Sequence, residues 1–301
     1  MYTITKPNVL LIGSGILQAF GGENWDNFLD SITTRTDLKE DTNCPAPLKA
    51  IIVTGDHVDT ALKKKFSNPI GGEITNPELA KMLQNILSLG FDHILTTNYT
   101  YELEAASIYP NKLTKHRLSK MQKSTASRCE AKYLLHTYMD LPYGGKENKV
   151  WHIHGEARKA DSVVLGHYYY GNLLYEIKKE VRKIDKCRWK GESDKNASWI
   201  DAFLFGNVYC LGFGFGFCEF DLWWLLNRKA RENENTGKFY FYNPKSKKDF
   251  DSHIDLLTLL KTVTGETLVE HKTMGFEESS MKSDDFKNFY ISALNDIKSN
   301  I

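Results

Sequence analysis

The segment 8–16, NVLLIGSGI, places Gly13, Ser14 and Gly15 directly after an apolar run. The two glycines permit a tight turn in which backbone amides approach a phosphate, and Ile16 opens a short predicted helix. The apolar run is too short for a typical helix and therefore predicts a strand buried on both faces. Gln18 stands where a dinucleotide-binding motif has its third glycine, so this motif alone is a weak indication of nucleotide binding.

Two asparagines also follow predicted strands. The segment 93–97, HILTT, predicts a buried strand that leads into Asn98 and Tyr99, and Asn243 comes directly after KFYFY at 238–242. An asparagine in such a position can bind sugar hydroxyls or hold a water molecule. The simpler interpretation of both is a turn, which asparagine forms readily.

Two histidines lie in a third predicted strand, VWHIHG at 150–155. Strand alternation predicts that His152 and His154 point to one face. A neutral imidazole can accept a proton near physiological pH, so either histidine is a candidate general base. A hydrogen-bonded histidine in the core is the alternative interpretation.

Glycine and phenylalanine alternate in the segment 211–217, LGFGFGF, which Glu219 and Asp221 follow. This segment is too rich in glycine for a strand interior and predicts a strand end whose backbone lies against a ligand. Ligands of open α/β sheets bind beyond the carboxyl ends of the strands. We therefore expect these motifs to meet at one edge of a sheet.

The alternation of strands and helices predicts an α/β fold with a Rossmann-like, mostly parallel sheet flanked by helices. Further strands are predicted at 50–54, 163–166, 208–212 and 267–271, and helices at 21–37, 56–66, 77–89, 168–198, 251–263 and 284–298. Tyr168, Tyr169 and Tyr170 are interpreted as packing residues. We expect one domain over 1–301, with its core at about 1–110, 149–167 and 200–275, helical insertions at about 111–148 and 168–199 that form a smaller subdomain, and a C-terminal helix at about 284–298.

Composition excludes several classes of protein. The 39 lysines and arginines nearly balance the 38 aspartates and glutamates, so no overall field attracts nucleic acid or a membrane. The basic segment 113–148 has few aromatics and favours an exposed helical surface over a nucleic-acid interface. No apolar run is long enough for a membrane span and no secretory signal is visible, so a cytoplasmic location is expected. The cysteines are scattered without a C-x-x-C pair and are interpreted as free thiols: Cys44, Cys129, Cys187, Cys210 and Cys218.

In this order, the motifs between about 9 and 243 resemble the sirtuin fold. They are more similar to the sirtuin-like NAD-consuming domains of bacterial anti-phage defence systems such as Thoeris. The resemblance implies that NAD+ is the ligand and that His154, in a His-Gly pair, and Asn98 are the catalytic residues. It further implies that the cofactor-binding residues are Gly13, Ser14, Gly15, Ile16, Thr97, Tyr99, Gly212, Phe213, Gly214, Phe215, Asp221 and Asn243.

Two departures from the family pattern bear on activity. Many relatives have an acidic residue where this chain has Thr100, although Glu102 and Glu104 are close in sequence. Deacetylating sirtuins have two C-x-x-C pairs that bind zinc beside a peptide groove, and this chain has neither pair. The resemblance therefore points to the zinc-free hydrolases, with no metal cofactor.

The resulting expectation is an NAD+ glycohydrolase that releases nicotinamide and ADP-ribose. The resemblance also implies a toxic effector of abortive infection, which a separate regulatory protein or homo-oligomer assembly activates. A sensor that binds NAD+ or ADP-ribose without turnover is the main alternative, and Thr100 favours it. Protein deacylation or ADP-ribosyl transfer is a third possibility.

Overall fold

The computed structural model describes residues 6–34, 44–55, 57–67, 74–126, 130, 132–190, 197–232, 236–245 and 252–301. The strands in these ranges are β1 (Asn8–Ile12), β2 (His93–Thr96), β3 (Gln122–Ser124), β4 (Thr137–Tyr143), β5 (Lys146–His152), β6 (Asn207–Leu211), β7 (Phe239–Tyr242) and β8 (Val269–Lys272). The helices are α1 (Gly15–Ala19), α2 (Trp25–Ile32), α3 (Ala46–Thr54), α4 (Val58–Lys65), α5 (Pro77–Leu89), α6 (Glu102–Ala106), α7 (Lys115–Met121), α8 (His167–Trp189), α9 (Trp199–Phe205), α10 (Phe220–Ala230), α11 (Ser252–Thr258) and α12 (Ser283–Lys298).

The eight strands form one sheet in the order β3-β4-β5-β2-β1-β6-β7-β8. The run from β5 to β8 is parallel, and β4 and β3 extend it with antiparallel pairing. Side chains of β1 alternate between two apolar clusters, because Leu10 and Ile12 belong to one and Val9 and Leu11 to the other. The prediction of an α/β fold with a mostly parallel sheet flanked by helices is therefore confirmed.

The chain changes direction between β1 and β6. It first passes from β1 to β2 and β5 on one side, and then returns across the sheet to β6 on the other side of β1. Such a switch point opens a crevice at the carboxyl ends of the two strands. The turns after these strands pack backbone against backbone, because the Gly13 amide donates to Leu211 O at 3.1 Å and the Gly15 amide donates to Gly212 O at 2.8 Å.

The strand predicted at 50–54 is wrong, because these residues form the end of α3. A short apolar run does not distinguish a strand from a buried helix. Pro47 in the first turn of the helix and Gly55, which ends it with a left-handed φ of 57°, are the local features that favour the helix.

The helical insertion predicted at 111–148 is also wrong, since the residues described in this segment form one helix, α7, which β3, β4 and the start of β5 follow. Gly144 and Gly145 both have positive φ and connect β4 to β5, as a tight hairpin turn requires. The strand predicted at 163–166 is absent from that described segment, although the Val164 amide donates to His154 O at 2.8 Å.

The remaining predicted elements differ mainly in their ends. Helix α5 begins after the Asn76 cap as predicted, whereas α11 and α2 are shorter than the predicted helices and β8 lies about two residues later. Helix α8 packs through its apolar residues on the face of the sheet that carries Val9. Cys129, residues 35–37, Asp56 and residues 191–196 lie outside the described residues. None of the helices in the described ranges combines the length and apolar character needed to cross a bilayer.

We expect Gly13→Ala to lower the free energy of unfolding by about 1–3 kcal/mol, the usual cost of overpacking. A Cβ at position 13 would lie 2.5 Å from Gly212 O, whereas one at Gly214 meets no described atom within 4 Å. Gly214→Ala is therefore the control and should change stability by less than about 0.5 kcal/mol. Denaturant unfolding of both variants measures the difference, and equal stabilities would contradict the close approach.

Candidate functional site

A cleft of about 430 Å³ lies at the switch point. Loops that follow four different strands contribute to its wall: Ser14 after β1, Asn98 after β2, His154 after β5 and Gly214 after β6. Four aromatic side chains whose rings contact one another also line the cleft: Trp25, Phe28, Phe66 and Tyr99. The cleft therefore combines polar groups with an apolar surface, as small-molecule sites do.

A second cavity of about 480 Å³ is also lined by the glycine turns. Asn243, Lys245 and Tyr290 are among the residues that line it. Both cavities share Ser14, Gly212, Phe213 and Gly214 in their walls. An elongated ligand with a narrow middle would thus cross the glycine turns and place one end in each cavity.

The imidazole of His154 lies between two carboxylates. Its Nε2 is 3.0 Å from Oδ2 of Asp221, and its Nδ1 is 3.9 Å from Oε2 of Glu219. Asp221 is fully buried, whereas Glu219 lines the cleft. The hydrogen bond to Asp221 fixes the ring and directs Nδ1 towards Glu219.

These three residues are close enough to be considered as ligands of a metal ion. The two carboxylates, however, face opposite nitrogens of the His154 ring. One ligand atom from each residue lies within 4.8 Å of the other two, but Nε2 of His154 is already hydrogen-bonded to Oδ2 of Asp221 at 3.0 Å. The arrangement fits a chain of proton-exchanging groups better than a metal centre.

Electrostatics couple His154 and Glu219. Burial lowers the pKa of His154, but the charge and hydrogen bond of Asp221 and the charge of Glu219 outweigh it, so this pKa lies above its usual 6.5. Burial raises the pKa of Glu219 to about 7, with a further increase from the Asp221 charge and an opposite effect of His154 and of the Tyr170 hydrogen bond. Glu219 therefore changes protonation near physiological pH, and His154 keeps its proton to higher pH than a free imidazole does.

His152 holds the loop that carries Asn98. Its Nδ1 lies 2.9 Å from Asn98 O, and its Nε2 lies 3.0 Å from Oε1 of Glu104. Burial lowers the pKa of His152, but the Glu104 charge and hydrogen bond, together with the Glu156 charge and Asn98 O, raise it to about 9. A protonated His152 donates from both nitrogens and so fixes the backbone of Asn98 beside the cleft.

Of the predicted site residues, most lie at the two cavities. The first cavity is lined by Ser14, Thr97, Asn98, Tyr99, His154, Gly212, Phe213, Gly214 and Phe215, and the second by Gly15 and Asn243 in addition to the shared residues. Gly13, Ile16 and Asp221 line neither described cavity. Gly13 is packed against Gly212, Ile16 is fully buried in the core, and Asp221 lies behind His154. In this structure these three residues have positioning roles.

The prediction that both histidines share a strand face is wrong, because β5 ends at His152 and His154 lies in the following turn. His154 lines the cleft, whereas the ring of His152 contacts Glu104 and the ring of Tyr101. The Gly155 φ of 89° turns the chain here, and a Cβ at that position would lie 2.3 Å from Ser162 O. The glycine that ends VWHIHG was the signal for this turn.

Sequence reasoning did not assign Glu219, Glu104 or Tyr170 to the site. The Tyr170 hydroxyl donates to Oε2 of Glu219 at 3.0 Å, and its ring packs edge-on against His154. Tyr170 was interpreted as a packing residue, and nothing in the alternating pattern of the chain connects it to a carboxylate 49 positions later. The only sequence signal for Glu219 is that it is an acidic residue after a glycine-rich strand end.

The fold and the cleft define an α/β protein with a ligand crevice at the switch point of a mostly parallel sheet. The chain matches no protein-family model, and a search of curated proteins finds no match to it.

We expect the His152–Glu104 pair to make stability depend on pH. Because the pKa of His152 is raised to about 9, its contribution is complete below about pH 6.5 and is lost as the pH rises towards 9. This loss amounts to at most about 3 kcal/mol. In Glu104→Gln, the free energy of unfolding should fall less over this interval, and parallel curves for the two proteins would contradict the ion pair.

We expect Asp221→Asn to lower the pKa of His154, because the ring loses a carboxylate in hydrogen-bond contact. Nuclear magnetic resonance titration of the His154 ring measures the change. Asp185→Asn is the control, since Asp185 is an exposed carboxylate on α8 that pairs with Arg228. An unchanged His154 pKa in Asp221→Asn would contradict the assigned pairing.

Proposed function

We propose that this chain is a sirtuin-like NAD+ glycohydrolase, which cleaves NAD+ to nicotinamide and ADP-ribose. The observation that carries the proposal is that Asn98 and His154 line one cleft, which shares the residues of the glycine turns with a second cavity. NAD+ has the matching form, with two nucleoside ends joined by a pyrophosphate. In the proposed complex, the nicotinamide ribose lies beside Asn98 and the adenosine beside Asn243.

Ser14 and Gly214 are the residues that would meet the pyrophosphate. Both line each cavity, and no described atom lies within 4 Å of a Cβ built at Gly214, so a ligand can approach the backbone there. The amides of Gly13 and Gly15 already donate to the turn after β6. Their role in the proposed complex is to hold the two turns together.

The chemistry that such a site must perform is limited. The bond from nicotinamide to ribose joins a cationic ring nitrogen to the anomeric carbon, so nicotinamide leaves as a neutral molecule without protonation. The protein must orient the ribose, enclose the leaving group and direct a water molecule to the anomeric carbon. In this proposal Asn98 binds the ribose hydroxyls and the water, and His154 accepts a proton from a ribose hydroxyl or from that water.

The cleft has a carboxylate beside Thr100, although Thr100 itself is not acidic. Its hydroxyl donates to Oε2 of Glu102 at 2.8 Å, and Glu102 lines the cleft. Burial raises the pKa of Glu102, and the Thr100 hydrogen bond opposes this rise. Glu102 is thus a candidate to replace the acid that relatives place at position 100.

The second candidate function is a sensor that binds NAD+ or ADP-ribose without cleaving it. Thr100 favours this candidate, because an acidic residue is expected there in the active relatives. Purified protein incubated with NAD+ separates the two functions: a glycohydrolase releases nicotinamide, whereas a sensor binds ADP-ribose and leaves NAD+ intact.

The proposal includes regulation, because an unrestrained NAD+ glycohydrolase would deplete the cell that makes it. We propose a toxic effector of anti-phage abortive infection that a separate regulatory protein or homo-oligomer assembly activates. Nicotinamide release should then increase with the activating partner or with assembly, as assays with products of neighbouring genes and size-exclusion chromatography would measure. Full activity of an isolated monomer would contradict this regulation.

We expect Asn98→Ala and His154→Ala to reduce nicotinamide release by about 10²–10⁴-fold, the usual contribution of a general base. Asn85→Ala on α5 and His116→Ala on α7 are matched controls, because both residues are exposed and line neither cavity. Circular dichroism checks that all four variants fold. Parent rates in both site variants would overturn the assignment.

A further inference from the structure

Asp221, His154 and Glu219 interact in a row, and Glu219 is the most exposed of the three side chains. Its side chain is 21% exposed, against 3% for His154 and 0% for Asp221. Its Oε2 accepts the hydrogen bond from Tyr170, and its Oε1 makes no hydrogen bond with the described residues. One carboxylate oxygen of Glu219 is therefore available to a molecule in the cleft.

We infer that Glu219 is a second catalytic residue, whose carboxylate takes the proton from the water that attacks the anomeric carbon. This inference rests on the proposed glycohydrolase function. His154 has one nitrogen hydrogen-bonded to the buried Asp221, and its other nitrogen faces Glu219. His154 thus orients Glu219 and, when protonated, stabilises its carboxylate charge, while Asp221 holds the His154 ring in place.

The step balances without a further reactant. The water oxygen forms a bond to the anomeric carbon as the bond from this carbon to the nicotinamide nitrogen breaks, and the electron pair of that bond returns to the ring. Nicotinamide leaves as a neutral molecule, and one proton of the water passes to Glu219 and then to solvent. The products are nicotinamide, ADP-ribose and one proton.

Four titratable groups from different elements face Glu219: Tyr99 after β2, His154 after β5, Tyr170 on α8 and Asp221 on α10. Burial raises the pKa of both tyrosines above their usual range, so they stay neutral near pH 7. Because the Glu219 pKa is about 7 in the ligand-free protein, its carboxylate form increases as the pH rises through 7. kcat/KM should rise over the same interval, since this parameter follows the free enzyme.

Glu219→Gln tests the inference, because it keeps the size of the side chain and removes the proton acceptor. We expect kcat to fall by about 10²–10⁴-fold, with the dependence on pH near 7 lost and ADP-ribose affinity changed by less than about threefold. Glu176→Gln on α8 is the control and should keep the parent kcat, because Glu176 pairs with Lys179 on the outer face of this helix.

Tyr170→Phe provides a readout that a purely structural role would not change. The Tyr170 hydrogen bond lowers the Glu219 pKa, so its loss should shift the midpoint of the kcat/KM profile to higher pH. Infrared titration of the carboxylates, with Glu219→Gln to assign the band, measures the same shift without turnover. A kcat/KM midpoint that stays unchanged in Tyr170→Phe would overturn the assignment of this profile to Glu219.

The two proposals fail in different ways. A parent protein that binds ADP-ribose and releases no nicotinamide, alone or with its activator, would overturn the glycohydrolase and with it the catalytic role of Glu219. A parent protein that releases nicotinamide, together with a Glu219→Gln variant of equal kcat, would overturn only the role of Glu219.

Discussion

The backbone contact between the turns after β1 and β6 is the constraint on which the site depends. Gly13 and Gly212 approach so closely that a Cβ at position 13 would overlap the Gly212 carbonyl oxygen. The contact occurs where the chain changes direction in the sheet, so it joins two segments about 200 positions apart in sequence. It also brings together the walls of both cavities, because Ser14 and Gly214 lie on either side of it.

Features that depend on local residue types could be predicted from the sequence. The buried strand β1 follows from a run of branched apolar residues, and α5 follows from the Asn76 cap, Pro77 and an apolar stripe that ends at Gly90. The meeting of four motifs at one sheet edge follows from the rule for parallel strands. This rule brought Asn98 and His154 to one cleft without any knowledge of their contacts.

Features that depend on long-range packing could not be predicted in this way. The segment 50–54 has the composition of a strand, yet it belongs to a helix that packs on α2 and α4 and leaves Ile52 exposed, and its proline and glycine limits fit a helix. The family resemblance implies that Asp221 is a cofactor-binding residue, since it follows the glycine motif. In the structure, Asp221 lies in the first turn of α10 and is buried against His154, which is 67 positions earlier in the sequence. The sequence pattern does not reveal such a long-range pair.

The two histidines of VWHIHG lie in different surroundings because the strand ends two residues before the second of them. If β5 continued through position 154, both rings would lie on one face and meet the same surroundings. The strand ends at His152, and Gly155 turns the chain with a φ that other residues rarely adopt. As a result His152 pairs with Glu104 behind the loop of Asn98, while His154 enters the cleft between Asp221 and Glu219.

The charges around the cleft give these two histidines different roles. Glu104 stabilises the protonated form of His152, whose charge serves to hold the loop. His152 is not among the described residues that line the first cavity. His154 has a carboxylate at each ring nitrogen, so a proton can move within this group at little cost when a ligand changes the local charge. A cationic nicotinamide ring in the cleft would favour the ionised carboxylate of Glu219, and its departure as a neutral molecule would remove that effect. In the proposed reaction, the site therefore binds the proton of the water more readily at the moment when the positive charge of the substrate is lost.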